Sequence, residues 1–199
     1  MALFGDSCVG KTKIIHQYIE NTFDDEHIYN NNNCDRVIKE IELKNGIKIK
    51  IEILDTVGQL KFRAANKIFM KLTKIALLIY DITYQESLKS LNEFYSDIKE
   101  VNREDNVFFV VVGNKTDLYE KQVISTEMGK EFAHKINALF FEVSAMDNES
   151  INNLFYQTVT EYVKTRINFN DDNKNDRNSN SNSFSLKNQK DKKKEKNCC

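Results

Sequence analysis

The densest chemistry lies near the start of the chain. Gly5-Asp6-Ser7-Cys8-Val9-Gly10-Lys11-Thr12 satisfies every fixed position of G-x-x-x-x-G-K-[ST]. Such a loop turns successive backbone N–H groups onto a polyphosphate. Its glycines allow the close approach, and the helix that follows adds the positive end of its dipole. Lys11 is expected to bridge the β- and γ-phosphates and the Thr12 hydroxyl to ligate Mg²⁺. By itself this loop says nucleoside triphosphate and leaves the base open.

A second cluster addresses the base. Asn114-Lys115-Thr116-Asp117 follows the apolar run Val107 to Val112 and Gly113, at the carboxyl end of a strand, where α/β sheets bind ligands. A carboxylate at Asp117 can accept from guanine N1–H and the 2-amino group together, a pair that adenine does not present. Asn114 can donate to the base and tie loops together, and the stem of Lys115 can lie along the ring. Ser144-Ala145 follows another strand and can offer backbone N–H to the guanine 6-oxo group. Four polar residues in a loop also suit an ordinary exposed turn, but the phosphate loop upstream and Ser144-Ala145 downstream favour the base site. A third cluster, Asp55-Thr56-Val57-Gly58-Gln59, closes a strand. There Asp55 can hold Mg²⁺ through water, Gly58 N–H can meet the γ-phosphate, and Gln59 can orient an attacking water, which makes Gln59 and Lys11 the expected catalytic residues.

The elements that must carry these residues are legible as a rhythm. From residue 3 to about 166, short apolar runs alternate with amphipathic ones, which argues for an α/β sheet with helices on both faces. The helix opening at Lys11 is expected to bury Ile14, Ile15, Tyr18 and Ile19. Ile47, Ile49, Ile51 and Ile53 alternate with charged residues as a half-buried strand, joined to Val37–Leu43 across Lys44-Asn45-Gly46. Ile75 to Tyr80 and Val107 to Val112 are continuous apolar runs, as central strands require, and Leu139 to Val143 is a further short one. Helices are expected over about 86–102, 125–137 and 148–166. Only Met1 to Phe4 precede Gly5, so the first strand is cut short: either the true start lies upstream, the favoured reading, or the fold is weakened.

Bulk properties set outer bounds. A chain of 199 residues accommodates one globular domain, here 1–166, and a tail. A net charge of −1 excludes a surface built to coat nucleic acid. Cys8 and Cys34 stand alone and Cys198-Cys199 are adjacent, which is neither a disulfide framework nor a zinc pattern and suits a reducing cytosol. No apolar run reaches the ~20 residues that span a bilayer. Asn30 to Asn33 reads as a mobile loop. From residue 167 to 199 the chain is Asn, Asp, Ser and Lys with few apolar residues, a composition expected to stay disordered.

Taken together, the motifs resemble the Ras superfamily of P-loop small GTPases, and the Rab branch most closely. Gly-Asp-Ser in the phosphate loop, Asp-Thr-Xaa-Gly-Gln, Lys61-Phe62-Arg63, Tyr80-Asp81-Ile82-Thr83, Asn114-Lys115-Thr116-Asp117-Leu118 and the terminal Cys198-Cys199 all look like Rab sequence. The resemblance implies a six-stranded, mostly parallel sheet. It also implies a GTP/GDP switch with Mg²⁺ in vesicle traffic, partnered by exchange factors, activating proteins, effectors and an escort/prenyltransferase system. Cys198 and Cys199 would then carry lipid, anchoring the chain to the cytoplasmic face of a membrane beside a cytosolic pool. The lysines near the terminus could add attraction to anionic lipid or be a solvated run.

Departures from the pattern are confined to a few places. Where the family carries Thr-Ile-Gly, with a Thr that reaches Mg²⁺ and the γ-phosphate, this chain reads Asn31-Asn32-Asn33, followed by Cys34-Asp35-Arg36 instead of an apolar and aromatic patch. Without that hydroxyl the loop has less to gain from the γ-phosphate. Val57, Leu54 and Met146 stand for a usual Ala, Trp and Lys, and Cys8 for a common Gly, read as tolerated and inert. Two functions from different classes therefore stand: a working GTPase whose hydrolysis depends on a partner, and a membrane-bound nucleotide-binding scaffold with impaired switching. An ATP-using P-loop kinase is disfavoured by Asp117 and by the lack of an Arg-rich lid.

Overall fold

The structure is a computed structural model. It describes residues 1–21, 36–44, 46–56, 63–102 and 106–178, with side chains omitted for 63–66 and 167–178. One compact unit covers Met1–Tyr162, and Val163–Cys199 form a second. The strands are β1 (Ala2–Phe4), β2 (Arg36–Glu42), β3 (Lys48–Asp55), β4 (Ile75–Asp81), β5 (Phe108–Asn114) and β6 (Leu139–Glu142). They form one sheet in the order β2-β3-β1-β4-β5-β6. Only the β2–β3 pair is antiparallel; β1 runs parallel to β3 and β4, and β4, β5 and β6 follow in parallel. The helices are α1 (Lys11–Glu20), α2 (Arg63–Leu72), α3 (Gln85–Val101), α4 (Thr126–Lys135) and α5 (Asn148–Asn178), with a 3₁₀ helix over Thr116–Lys121.

The strand order follows from burial. β4 is apolar except at its last residue and is buried along its whole length. β1 is three residues long and fully buried between β3 and β4. Residues of one parity (Phe4, Ala76, Leu78, Tyr80, Val111) pack with Met70 of α2, Leu88, Leu91, Phe94 and Ile98 of α3, and Phe132 and Ala133 of α4. The opposite parity (Leu3, Leu77, Ile79, Val110, Val112) is buried as well. Strands covered on both faces lose the alternation of half-buried ones, which is why β4 and β5 read as unbroken apolar runs. On α1, Tyr18 stacks on Phe155 of α5 at 3.9 Å between ring centroids. The Lys39 ammonium lies 3.8 Å over the Tyr18 ring and ties β2 to the same place.

Several local expectations need adjustment. On α1 it is Gln17 that is buried beside Ile14, Ile15 and Tyr18, while Ile19 is only partly so. Ile47 precedes β3 and is exposed, because the turn closed by Gly46 N–H on Leu43 O at 2.8 Å lies outside the sheet. α2 was not foreseen. Ala65, Ile68, Phe69 and Leu72 recur at helical spacing in the sequence, yet Ile68 and Leu72 are each 66% exposed while Met70, off that stripe, is buried. α5 continues to Asn178 instead of ending near 166; neither Gly nor Pro interrupts the segment, so no strong breaker stops the helix. The loop expected at Asn30–Asn33 and the tail beyond 178 lie outside the described residues.

Where α4 meets the sheet, glycine sets the distance. A Cβ at Gly129 would stand 2.3 Å from the Tyr80 hydroxyl and 2.6 Å from the Phe140 ring, and one at Gly113 would stand 2.7 Å from the same hydroxyl. That hydroxyl is buried with no hydrogen-bond partner among the described residues. Burial, and secondarily Glu142, push the phenol pKa up, so it stays neutral. An unsatisfied buried donor costs about 1–3 kcal/mol, so Tyr80→Phe should leave urea stability unchanged or raised. Gly129→Ala should lower it by about 1–3 kcal/mol through overpacking, and less so in the Tyr80→Phe background. A clear loss of stability in Tyr80→Phe alone would mean the hydroxyl has a partner.

Candidate nucleotide site

The chemistry-bearing residues come together at the carboxyl ends of the parallel strands. The phosphate loop leaves β1. Asp55 ends β3, level with Leu3 of β1, and Asp81 ends β4 in register with Asn114, which ends β5. Ser144 follows β6 by two residues. In a parallel sheet the strand ends lie side by side, so residues far apart in sequence meet without any long-range loop.

Backbone geometry of the loop explains its glycines. Gly5 (φ 146°) runs so close to β4 that a Cβ would stand 2.2 Å from Ile79 O. Gly10 (φ 100°) caps α1, and a Cβ there would stand 2.2 Å from Asn114 Nδ2. Cys8 has φ 65° and an exposed side chain. A glycine at position 8 would adopt that φ without penalty, whereas cysteine holds it at about 1–3 kcal/mol. Asp6 is half-buried, Ser7 is exposed and Val9 is buried.

Charged groups converge inside the loop. Lys11 is 6% exposed, and its ammonium donates to Gly5 O at 2.9 Å and to Asp6 O at 2.7 Å. Burial pulls its pKa down, opposed by Asp55, Asp6 and Cys8. The Thr12 hydroxyl donates to Asp55 Oδ2 at 2.6 Å. This is a pair of hard oxygen donors beside a lysine, which suits Mg²⁺, an ion that takes one or two protein oxygens and completes its octahedron with phosphate and water. Among the described residues no group of three acidic, His or Cys side chains could hold a metal without such help.

The base side is a cavity of about 250 Å³ lined by Gly10, Lys13, Asn114, Lys115, Asp117, Leu118, Ala145 and Met146. Asn114 is 1% exposed; its Nδ2 donates to Val9 O at 2.8 Å and its Oδ1 accepts from Ala145 N at 3.1 Å. Ser144 Oγ donates to Asp117 Oδ1 at 2.5 Å and accepts from Met146 N at 3.1 Å, which fixes the carboxylate's direction. The backbone of Lys115 is left-handed (φ 71°), and its Nζ lies 2.6 Å from Asp81 Oδ2. Burial works to raise the Asp81 pKa, but hydrogen bonds from Lys115 and Thr83 outweigh it and hold the carboxyl below its ordinary value.

All the expected site residues among Gly5–Thr12, Asp55, Asn114, Lys115, Asp117, Ser144 and Ala145 thus lie at one end of the sheet. Gly58 and Gln59 fall outside the described residues, as do Val57, Asn31–Asn33, Cys34, Cys198 and Cys199. Lys13 lines the cavity although no sequence signal marked it, and Leu118, quoted only within the Rab-like run from Asn114, lines it as well. Asp81, quoted only within Tyr80-Asp81-Ile82-Thr83, could have been given a site role as a carboxylate at the end of an apolar strand, like Asp55.

A family model described as Ras family matches residues 1–164. The chain is 35% identical over 166 residues to "Ras-like protein rasS" of Dictyostelium discoideum, covering 83% of this chain and 84% of that one. It is 35% identical over 159 residues to "GTP-binding protein ypt3" of Schizosaccharomyces pombe, covering 80% and 73%. It is 31% identical over 164 residues to "Ras-related protein Rab-17" of Mus musculus, covering 82% and 75%.

The chain belongs to the Ras family.

Its relatives include Rab proteins, and its fold is that of the Ras-like P-loop GTPases, with a short first strand. Members of the family are GTP hydrolases, and this chain is one of them. Gly10 is where the GTPase's phosphate and base sides press on one another. Gly10→Ala should therefore displace the Asn114 amide and, losing a buried hydrogen bond worth about 1.4 kcal/mol, retain GDP at least tenfold less tightly. Fluorescent GDP titration measures it, and unaltered affinity would show that the contact yields freely.

Proposed function

We propose that this protein is a Rab-like GTP/GDP switch, tethered by lipid on Cys198 and Cys199 to the cytoplasmic face of a membrane and acting in vesicle traffic. The observation that carries the nucleotide part is the Asn114 bridge, with Nδ2 on Val9 O and Oδ1 on Ala145 N. It makes the loop that suits a triphosphate and the cavity that ends at Asp117 parts of one site. Asp117 accepts from the guanine edge with the oxygen that Ser144 leaves over, and Lys115 covers the ring; the Ala145 N–H expected on the 6-oxo group instead donates to Asn114 Oδ1. Lys11 and the loop amides neutralise charge that develops on the phosphates. Mg²⁺, held by Thr12 directly and by Asp55, would polarise the β- and γ-phosphate oxygens.

Hydrolysis is slow in the isolated protein and depends on an activating partner. Gln59 orients the water, but the charge on the transferring phosphoryl group also needs a cation from outside. The arginine nearest in sequence to the phosphate loop, Arg36 on the edge strand β2, has its guanidinium engaged 2.7 Å from Glu52 Oε2 in an exposed ion pair. An arginine supplied in trans accelerates such reactions by about 10³–10⁵.

The membrane part rests on the terminal cysteine pair, since one lipid chain binds marginally and two bind durably. None of the described helices is long and apolar enough to cross a membrane. The vesicle-traffic role draws on the likeness to Rab-17 and ypt3. Exchange factors, effectors and an escort/prenyltransferase system complete the set of partners.

Three measurements test this. Purified full-length protein should retain GDP and GTP in preference to ATP, and EDTA should speed release. In single-turnover assays, GTP should be cleaved slowly alone and about 10³-fold or more faster with a Rab-type activating protein. Equal retention of ATP would sink the guanine assignment, and a fast intrinsic rate the dependence on a partner. Replacing both Cys198 and Cys199 with Ser should move the protein from membranes to the soluble fraction, and unchanged membrane association would refute the lipid anchor.

A further inference from the structure

We propose that Asp81 is a positioning residue of the guanine site, holding the Lys115 side chain along the wall of the base cavity. The inference rests on the guanine reading of that cavity and adds to it a residue outside the nucleotide-binding motifs.

Lys115 lines the cavity, and its Nζ sits 2.6 Å from Asp81 Oδ2; the two side chains are 30% and 10% exposed. The other carboxylate oxygen is held from behind, since Asp81 Oδ1 accepts from Thr83 N at 2.8 Å and from Thr83 Oγ1 at 2.7 Å. With Oδ1 committed to Thr83, Oδ2 has a fixed direction, and so has the ammonium it holds. The backbones are locked as well: Asp81 and Asn114 are register partners, Ile82 N donates to Asn114 O at 3.2 Å, and Asp81 N donates to Ser87 Oγ at 3.0 Å.

A lysine on a loop is a flexible stem with many rotamers, and a base that lands on an unrestrained one must order it. Here the ion pair stretches the stem before the base arrives. Partial burial strengthens that effect, because a charge-assisted hydrogen bond shielded from water is screened less. Asp81 does not line the cavity itself, so its influence on the nucleotide passes through Lys115.

The test uses full-length protein loaded with fluorescent GDP, followed by release into excess unlabelled GDP at fixed Mg²⁺. Wild type, Asp81→Asn, Lys115→Met and the double variant form a cycle. Asp81→Asn should release GDP about tenfold faster, the ratio that corresponds to about 1.4 kcal/mol. In the Lys115→Met background the same change should have less than about a twofold effect, the mark of two residues acting as a unit. Were Asp81 only a structural cap for the Thr83 turn, its replacement would speed release equally in both backgrounds and lower the urea midpoint in step; that result overturns the proposal. If Asp81→Asn does not fold, Thr83→Val removes one of the two donors that aim the carboxylate. It should speed release in the same direction by a smaller factor, again only when Lys115 is present, and unchanged release overturns the proposal. Wild-type protein that retains GDP while Asp81→Asn behaves identically removes Asp81 alone; wild-type protein that retains no guanine nucleotide removes the guanine reading and this assignment with it.

Discussion

The Asn114 carboxamide is buried to 1% exposure and uses both ends, donating to Val9 O in the phosphate loop and accepting from Ala145 N beyond β6. Three loops that leave three different strands are thereby held at fixed distances by one side chain. The arrangement tolerates no Cβ at Gly10, which would stand 2.2 Å from Asn114 Nδ2. Burying a primary amide is costly unless its donor and acceptor are both engaged, and here both are. That requirement explains why the residue closing β5 is an amide and not a carboxylate, which could accept from Ala145 but could not donate to Val9.

The sequence declared this site more fully than it declared the fold around it. Phosphate-loop and base-site residues are recognisable because each is a polar or glycine exception at the end of an apolar run, and the sheet gathers such ends on one side. β4 and β5 were legible for a related reason: strands buried on both faces admit almost nothing polar. Which face of a helix meets the core is less legible than the helix itself. α2 has apolar residues at helical spacing, Ala65, Ile68, Phe69 and Leu72, yet exposes Ile68 and Leu72 and buries Met70 beside them. Packing details such as Tyr80 lying between Gly113 and Gly129 depend on distances between elements that no local pattern encodes.

Two left-handed residues other than glycine lie within the site itself. Of the described residues other than glycine, four have positive φ: Cys8 and Lys115 within the site, Asn21 where α1 stops, and Asn137 ahead of β6. Such conformations persist where surroundings over-determine them. Around Lys115 the surroundings can be named: the adjoining Asn114 amide is tied to two loops and the lysine side chain to Asp81. The exposed Cys8 is different, since its side chain acts on the described site electrostatically, through Lys11, and does not hold the backbone in place.

Three carboxylates, Asp55, Asp81 and Asp117, stand at or just beyond the ends of β3, β4 and β5, beside a loop suited to a polyanion. Their mutual repulsion and their repulsion of phosphate are met by giving each a donor from an adjoining segment. Thr12 serves Asp55, Lys115 and Thr83 serve Asp81, and Ser144 serves Asp117. Each donor also fixes the direction of the oxygens it leaves over. Geometry that is set in advance lowers the ordering cost of binding and sharpens discrimination between bases, because a misplaced partner leaves a buried acceptor unmet. The donors for Asp55 and Asp117 are hydroxyls, which can rotate and exchange partners, whereas that for Asp81 includes an ammonium, which keeps its charge. The carboxylates served by hydroxyls, Asp55 and Asp117, are therefore free to change partners, and the Asp81 pair beside the cavity is the fixed one.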